Sequence, residues 1–267
     1  GLTAGPAELV AQTQAGWQPT GATVIELDVT SGSNPTHNFG FEAAGQPSVE
    51  IGPDETNPAR TELRIIGTPA DDVIDVRGRN AAVDVIVNGV LFGRFSPTGR
   101  IDIHGLGGND RIFVGGVVFP RRAWVDGGVG DDSITAGNGA SVLRGAAGND
   151  RMQSGSARDL LIGGVGADTL FGQNGDDILV GGSTSFDTNT AALDAILAEW
   201  TSIRTYAQRI DNLTSGGLIG GLDLNVGTVW DDGSVDGLTG GRATDWFFAS
   251  LGDTTDARSF ERVSGFD

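Results

Sequence analysis

Read in steps of nine from Gly127, the chain places an apolar residue at the eighth position of every step. The abutting segments are GGVGDDSIT (127–135), AGNGASVLR (136–144), GAAGNDRMQ (145–153), SGSARDLLI (154–162), GGVGADTLF (163–171) and GQNGDDILV (172–180). They put Ile134, Leu143, Met152, Leu161, Leu170 and Leu179 at position eight, and an earlier copy, GLGGNDRIF (105–113), puts Ile112 there. The last three residues of each unit predict a short strand whose middle side chain faces a core. The first six predict a tight turn in which glycine supplies positive φ. Two units make one coil, so units eighteen residues apart stack.

The pattern loosens on either side. Over 61–126 it predicts degenerate coils: RIIGTPADDVIDV (64–76) carries Asp72 and Ile74 at positions six and eight, and VDVIVNG (83–89) and RIDIHG (100–105) alternate as strands do. Residues 1–60 read as an N-terminal cap or docking segment, with strands at 24–29 and 47–52 and a short helix over 4–17. Stacked coils end in unpaired strand edges that need such a cap. The regular repeats run over 127–189.

Over 190–217 the period changes to that of a helix. Leu193, Ile196, Leu197, Trp200, Ile203, Ala207, Ile210 and Leu213 predict one amphipathic helix, capped at its start by Thr188 or Thr190 and at its end by Gly216. Its apolar face is expected over the flank of the coils. The nonapeptide returns within 218–267 as DDGSVDGLT (231–239) and GGRATDWFF (240–248), so the helix reads as an insertion between coils, followed by a C-terminal cap.

Charge narrows the chemistry. The formal net charge is −18, from 35 acidic and 17 basic residues, with the aspartates set between glycines rather than in a block. Such a chain repels nucleic acid and anionic membrane and invites cations. There is no cysteine and there are two histidines, so disulfides and thiol chemistry are excluded. No apolar run is long enough for a membrane span. The first residues do not form a signal peptide, which is expected of a chain whose signal was removed or of a piece of a longer one. HExxH, GxSxG and P-loop patterns are missing, and the pairs Asp131–Asp132 and Asp176–Asp177 belong to the repeat.

Position four is glycine in every copy but one, where Ala157 stands. Position six is Asp110, Asp132, Asp150, Asp159, Asp168 and Asp177, with Ser141 the exception, and Asp236 and Asp245 take that place after the insertion. G-G-x-G-x-D-x-apolar-x, repeated in phase, resembles the nonapeptide of the haemolysin-type calcium-binding (RTX) family. The tail, about 185–255, looks like modules near the ends of large bacterial proteins of this type. The resemblance implies an all-β fold: a right-handed parallel β-roll or β-helix solenoid with one amphipathic α-helix inserted and capping segments.

Asp132, Asp150 and Asp168 are expected in one column, and Asp159 and Asp177 in the other. Carboxylates about 4.8 Å apart repel by roughly 3 kcal/mol at an effective dielectric of 20. A column of them calls for a counter-cation. Calcium suits carboxylates plus carbonyls, magnesium demands stricter geometry, and zinc wants His or Cys where only His37 and His104 exist. Several Ca2+ ions are expected, held by the eight aspartates and by carbonyls of Gly108, Gly128, Gly130, Gly148, Gly164, Gly166 and Gly175. Asp72 fits either a metal or a structural role, and Asp187 is one place out of register.

The expected function is a secreted calcium-binding module at the bacterial cell surface or in a matrix, structural or adhesive rather than enzymatic. Its partners would be calcium, with other copies of itself or surface components as candidates. The alternatives are a folding or secretion module of a larger extracellular enzyme and a solenoid enzyme acting on polysaccharide.

Overall fold

The computed structural model describes residues 45–54, 57–79, 82–115, 121–215 and 222–265, all within the unit Glu42–Asp267. The helix expected over 4–17, the strand at 24–29, His37 and Gly216 lie outside the described residues.

The N-terminal strands are β1 (Ser48–Pro53), β2 (Thr61–Ile66), β3 (Val73–Arg79), β4 (Ala82–Val87), β5 (Val90–Phe95), β6 (Ile101–Gly107) and β7 (Arg111–Gly115). The repeats supply β8 (Ala123–Val129), β9 (Ser133–Thr135), β10 (Val142–Ala147), β11 (Arg151–Gln153), β12 (Leu160–Val165), β13 (Thr169–Phe171) and β14 (Ile178–Val180). Then come β15 (Ser183–Thr184), the helices α1 (Thr190–Trp200) and α2 (Tyr206–Thr214), and β16 (Val229–Trp230). The chain ends with β17 (Gly237–Thr239), β18 (Trp246–Phe248), β19 (Thr254–Thr255) and β20 (Arg262–Ser264).

These strands form two nine-stranded sheets, in the orders β1-β2-β6-β8-β10-β12-β14-β18-β20 and β19-β17-β13-β11-β9-β7-β3-β4-β5. From β6 onwards successive strands of the regular region alternate between the sheets, and neighbours within each sheet are parallel. The register is that of the nonapeptide: Val142 pairs with Leu160 and Leu160 with Ile178, while Ser133 pairs with Arg151 and Arg151 with Thr169. Among the described residues the architecture is mostly strand, with largely parallel sheets and two short helices, and is consistent with a β-roll.

The period-nine apolar residues fill the space between the sheets. Ile112, Ile134, Leu143, Met152, Leu161, Leu170 and Leu179 are each at most 1% exposed and belong to one core with Leu238 and Phe247. Each such burial contributes about 1.5–3 kcal/mol. A second core lies on the other face of the first sheet. There Trp124, Val142, Leu160, Ile162, Ile178, Val180, Trp246 and Phe248 meet Leu193, Ile196, Leu197 and Trp200 of α1 and Ile210 and Leu213 of α2.

Two details depart from the sequence reading. Val83–Gly89 is not a coil: β4 turns back antiparallel on β3 and pairs antiparallel with β5, so a hairpin extends the second sheet. The single inserted helix is two. Asn189, not Thr188 or Thr190, caps α1 by accepting from Ala192 N–H at 3.0 Å. Thr205 opens α2 with a reciprocal capping box to Gln208. That box competes with helix continuation across 201–204, and buried Arg209 donates to the Trp200 carbonyl at 2.8 Å, ending the first helix. Ile203 consequently faces solvent, although its spacing put it on the apolar stripe.

Candidate metal centre

The turn ahead of each short strand brings a position-six aspartate under the next coil. The backbone N–H of Asp110 donates to Asp132 Oδ1, that of Asp132 to Asp150, that of Asp150 to Asp168 and that of Asp168 to Asp236, at 2.7–2.8 Å. A second column runs from Ser141 N–H to Asp159 Oδ1, Asp159 N–H to Asp177 and Asp177 N–H to Asp245. The sequence separations along the first column are 22, 18, 18 and 68, so stacking is conserved where the spacing is not.

The other oxygen of these carboxylates is what marks the site. All eight aspartates are at most 2% exposed. Oδ2 of Asp110, Asp132, Asp150, Asp168, Asp177, Asp236 and Asp245 is buried with no hydrogen-bond partner. Such an oxygen costs about 1–3 kcal/mol unless a proton or a cation takes it. Asp159 differs, because its Oδ2 receives the Gly155 N–H at a long 3.4 Å. Its turn has Ser154 at position one, whose hydroxyl donates to the Gly172 carbonyl at 2.8 Å.

Burial holds these acids towards their protonated form. It pushes Asp132 and Asp236 up to about 6, Asp110, Asp150, Asp159 and Asp245 to about 7, and Asp168 to about 8. Asp177 is raised well above the usual carboxylate value, by burial and then by Asp159 below it. The donated backbone N–H groups offset part of the rise. Without an ion, donation between coils and proton uptake relieve part of the repulsion that a cation is expected to neutralise.

Glycine enters the site in two ways. Gly108, Gly128, Gly130, Gly148, Gly164, Gly166 and Gly175, singled out from the sequence, all have positive φ, from 96° at Gly108 to 136° at Gly148. The position-one glycines were missed. A Cβ on Gly127 or Gly145 would come 2.2 Å from Oδ2 of the aspartate that closes its own turn, Asp132 or Asp150. The signal was in the motif, whose first glycine has no turn conformation to explain it.

The insertion is spliced into a turn rather than between coils. A Cβ on Gly181 would lie 2.4 Å from Asp236 Oδ2, and one on Gly163 2.2 Å from the Gly181 carbonyl. Gly181 thus opens the turn that Asp236 closes, with the β15–β16 pair as the neck of the insertion.

The aspartates that departed from the pattern have other partners. Asp72 Oδ2 accepts from Thr68 N–H and Oγ1, and its Oδ1 from Asn88 Nδ2. Asp187 Oδ1 accepts from the backbone and hydroxyl of Thr184. His104 packs at a tilt against Trp124, with ring centroids 5.1 Å apart, and lies 3.4 Å from Asp102.

Among the described residues no three His, Cys, Asp or Glu side chains converge on one point. An ion here would need backbone carbonyls as well as carboxylates. The donor set, hard oxygens with orphaned carboxylate atoms beside glycine-rich turns, fits calcium. Residues 126–161 and 153–184 match the model of the RTX calcium-binding nonapeptide repeat, in four copies. The chain therefore carries calcium-binding repeats of this type, and the turns of Asp110, Asp236 and Asp245 lie outside the matched span. No curated protein and no solved structure matches the chain significantly.

Proposed function

We propose that the chain is a calcium-stabilised, right-handed β-roll solenoid that serves outside the bacterial cell as a structural, adhesive or assembly module. The observation that carries this reading is the pair of columns in which seven buried carboxylate oxygens stand without a donor. Asp110, Asp132, Asp150, Asp168, Asp177, Asp236 and Asp245 would hold several Ca2+ ions together with turn carbonyls. Asp159 would be a weaker ligand, since its second oxygen already has a donor. Calcium would supply the positive charge that lets these acids be buried ionised.

Linkage then ties stability to the ion, because the folded turns bind it and the unfolded chain hardly does. Extracellular calcium modules work at dissociation constants of about 0.1–1 mM. The module would be loose at low calcium and rigid outside the cell. No helix among the described residues is long and apolar enough to cross a membrane.

The reading is non-catalytic. The paired acids that could mimic a hydrolase have structural partners: Asp131 accepts from Asn149 N–H at 2.7 Å, and Asp176 from Arg209 at 2.5 Å and Thr244 N–H at 3.1 Å.

A calcium titration followed by circular dichroism and light scattering tests both halves. Folding and assembly that require calcium support the proposal. A fold unchanged in chelator, with no calcium bound, would sink it, and a persistent calcium-loaded monomer would favour a tethered module over an assembling one.

A further inference from the structure

The turn carbonyls point along the columns. A Cβ on Gly148 would come 2.2 Å from the Gly130 carbonyl oxygen, one on Gly175 1.9 Å from that of Ala157, and one on Gly241 2.5 Å from that of Gln173. At positions two and four, then, the carbonyl of one coil abuts the same position of the next. The turn 240–245, GGRATD, is the last glycine-rich turn of the second column among the described residues.

Arg258 reaches back to this last turn. Its guanidinium donates through Nη1 to the Ala243 carbonyl at 3.0 Å and through Nη2 to the Gly241 carbonyl. These are the position-four and position-two carbonyls. Glu261 stacks beyond Asp245, since Trp246 pairs with Arg262. Its side chain is 2% exposed, and its Oε1 is buried without a hydrogen-bond partner, 3.7 Å from Arg258 Nη1. A positive group is thus held against two carbonyls of the turn that Asp245 closes and beside the Glu261 carboxylate, whose Oε1 is orphaned.

The other column ends have hydrogen-bond partners of their own. Asp253 accepts from Asp236 N–H and Ser250 N–H, Asp72 from Thr68 and Asn88, and Ser141 donates its hydroxyl to Gly139.

The geometry points to Arg258 as the terminal cation of the second column, its guanidinium standing in for the calcium ion that would otherwise lie between the 240–245 turn and Glu261. The inference rests on the calcium reading of the columns. It makes the 240–245 turn independent of calcium and hides a latent metal site beneath an arginine.

The test is calcium stoichiometry by equilibrium dialysis, with thermal melts in calcium and in chelator, for wild type, Arg258→Ala, Arg258→Gln and Arg258→Gln/Glu261→Gln. Arg258→Ala and Arg258→Gln are expected to bind one more calcium ion per chain than wild type. They should melt below wild type in chelator and recover in calcium. The double variant should return to the wild-type number. Unchanged stoichiometry in both single variants overturns the inference alone, provided wild type binds calcium. Single variants that stay unfolded in saturating calcium overturn it, because an ion then cannot replace the guanidinium. An extra ion that persists in the double variant lies elsewhere and overturns it too. A wild type that binds no calcium overturns this inference and the proposed function together.

Discussion

The backbone N–H of Asp132 donates to the carboxylate of Asp150 at 2.7 Å, one coil away and eighteen residues on. A single hydrogen bond joins the main chain of one turn to the acid of the next, and leaves the acid's second oxygen bare. The link stabilises stacking and sets up a site that wants a positive partner.

The first prediction concerns pH. The unfolded aspartates titrate near 3.8, and burial raises the folded ones to between about 6 and about 8. Between these values the folded chain binds protons that the unfolded chain has lost. In chelator, the stability these acids contribute is therefore fullest below about pH 4 and is lost as pH rises towards 8. In calcium the order reverses, since the ion binds the deprotonated form and its apparent affinity rises through the same window. Thermal melts from pH 4 to 8, with and without calcium, check this. Parallel profiles in the two conditions would refute it.

Asp150→Asn should separate metal ligation from folding. It removes a buried charge with no partner on one oxygen, so stability in chelator at pH 8 should hold or rise. The calcium-dependent gain should shrink. Asp72→Asn should do the opposite, because its carboxylate accepts from Thr68 and Asn88. A loss of about 1–3 kcal/mol, the same with and without calcium, is expected there from the broken buried hydrogen bonds. Denaturant titrations in both conditions give the comparison.

Gly145→Ala tests the first glycine of the motif. Its new methyl would lie 2.2 Å from Asp150 Oδ2 and 2.6 Å from the Gly163 carbonyl. Overpacking of this kind costs about 1–3 kcal/mol. The loss should be accompanied by weaker calcium binding, because the displaced group is the carboxylate itself. Calorimetric titration of the variant reads both effects, and unaltered affinity would show that the carboxylate had not been moved.

Trp200→Ala should loosen the helical insertion. The Trp200 and Trp246 rings lie 5.9 Å apart, Arg209 sits 4.5 Å over the Trp200 ring, and Trp200 Nε1 donates to the Asp176 carbonyl. Truncating a buried tryptophan costs about 3–5 kcal/mol. Hydrogen exchange should show the loss first in α1 and α2, with the amides of β8 to β13 protected for longer. Uniform loss of protection would show that the insertion and the sheets unfold as one unit.

Much of the repeat region was legible because its signals are local. A nine-residue period with an apolar eighth position sets strand length, facing and stacking partner together. Ile134, Met152 and Leu170 were accordingly expected in the core, and they are buried there. The columns of Asp132, Asp150 and Asp168 followed from the same arithmetic. The hairpin of β4 and β5 did not, since an alternating strand reads alike whether its neighbour runs parallel or antiparallel. The break between α1 and α2 was equally hidden, because Ile203 keeps the apolar spacing while the capping box of Thr205 and Gln208 ends the helix.

By itself the sequence determined the repeat, the residues facing the core and the acids that could meet a cation, since each depends on neighbours nine or eighteen residues away. Only the tertiary structure decided which carboxylate oxygens are left bare. Asp72 and Asp150 occupy the same place in the pattern, yet Thr68 and Asn88 satisfy one and nothing satisfies the second oxygen of the other. The splice at Gly181 and Asp236 was likewise a matter of three dimensions, because hydrogen bonds and steric contact act on distance in space, whatever length of chain lies between.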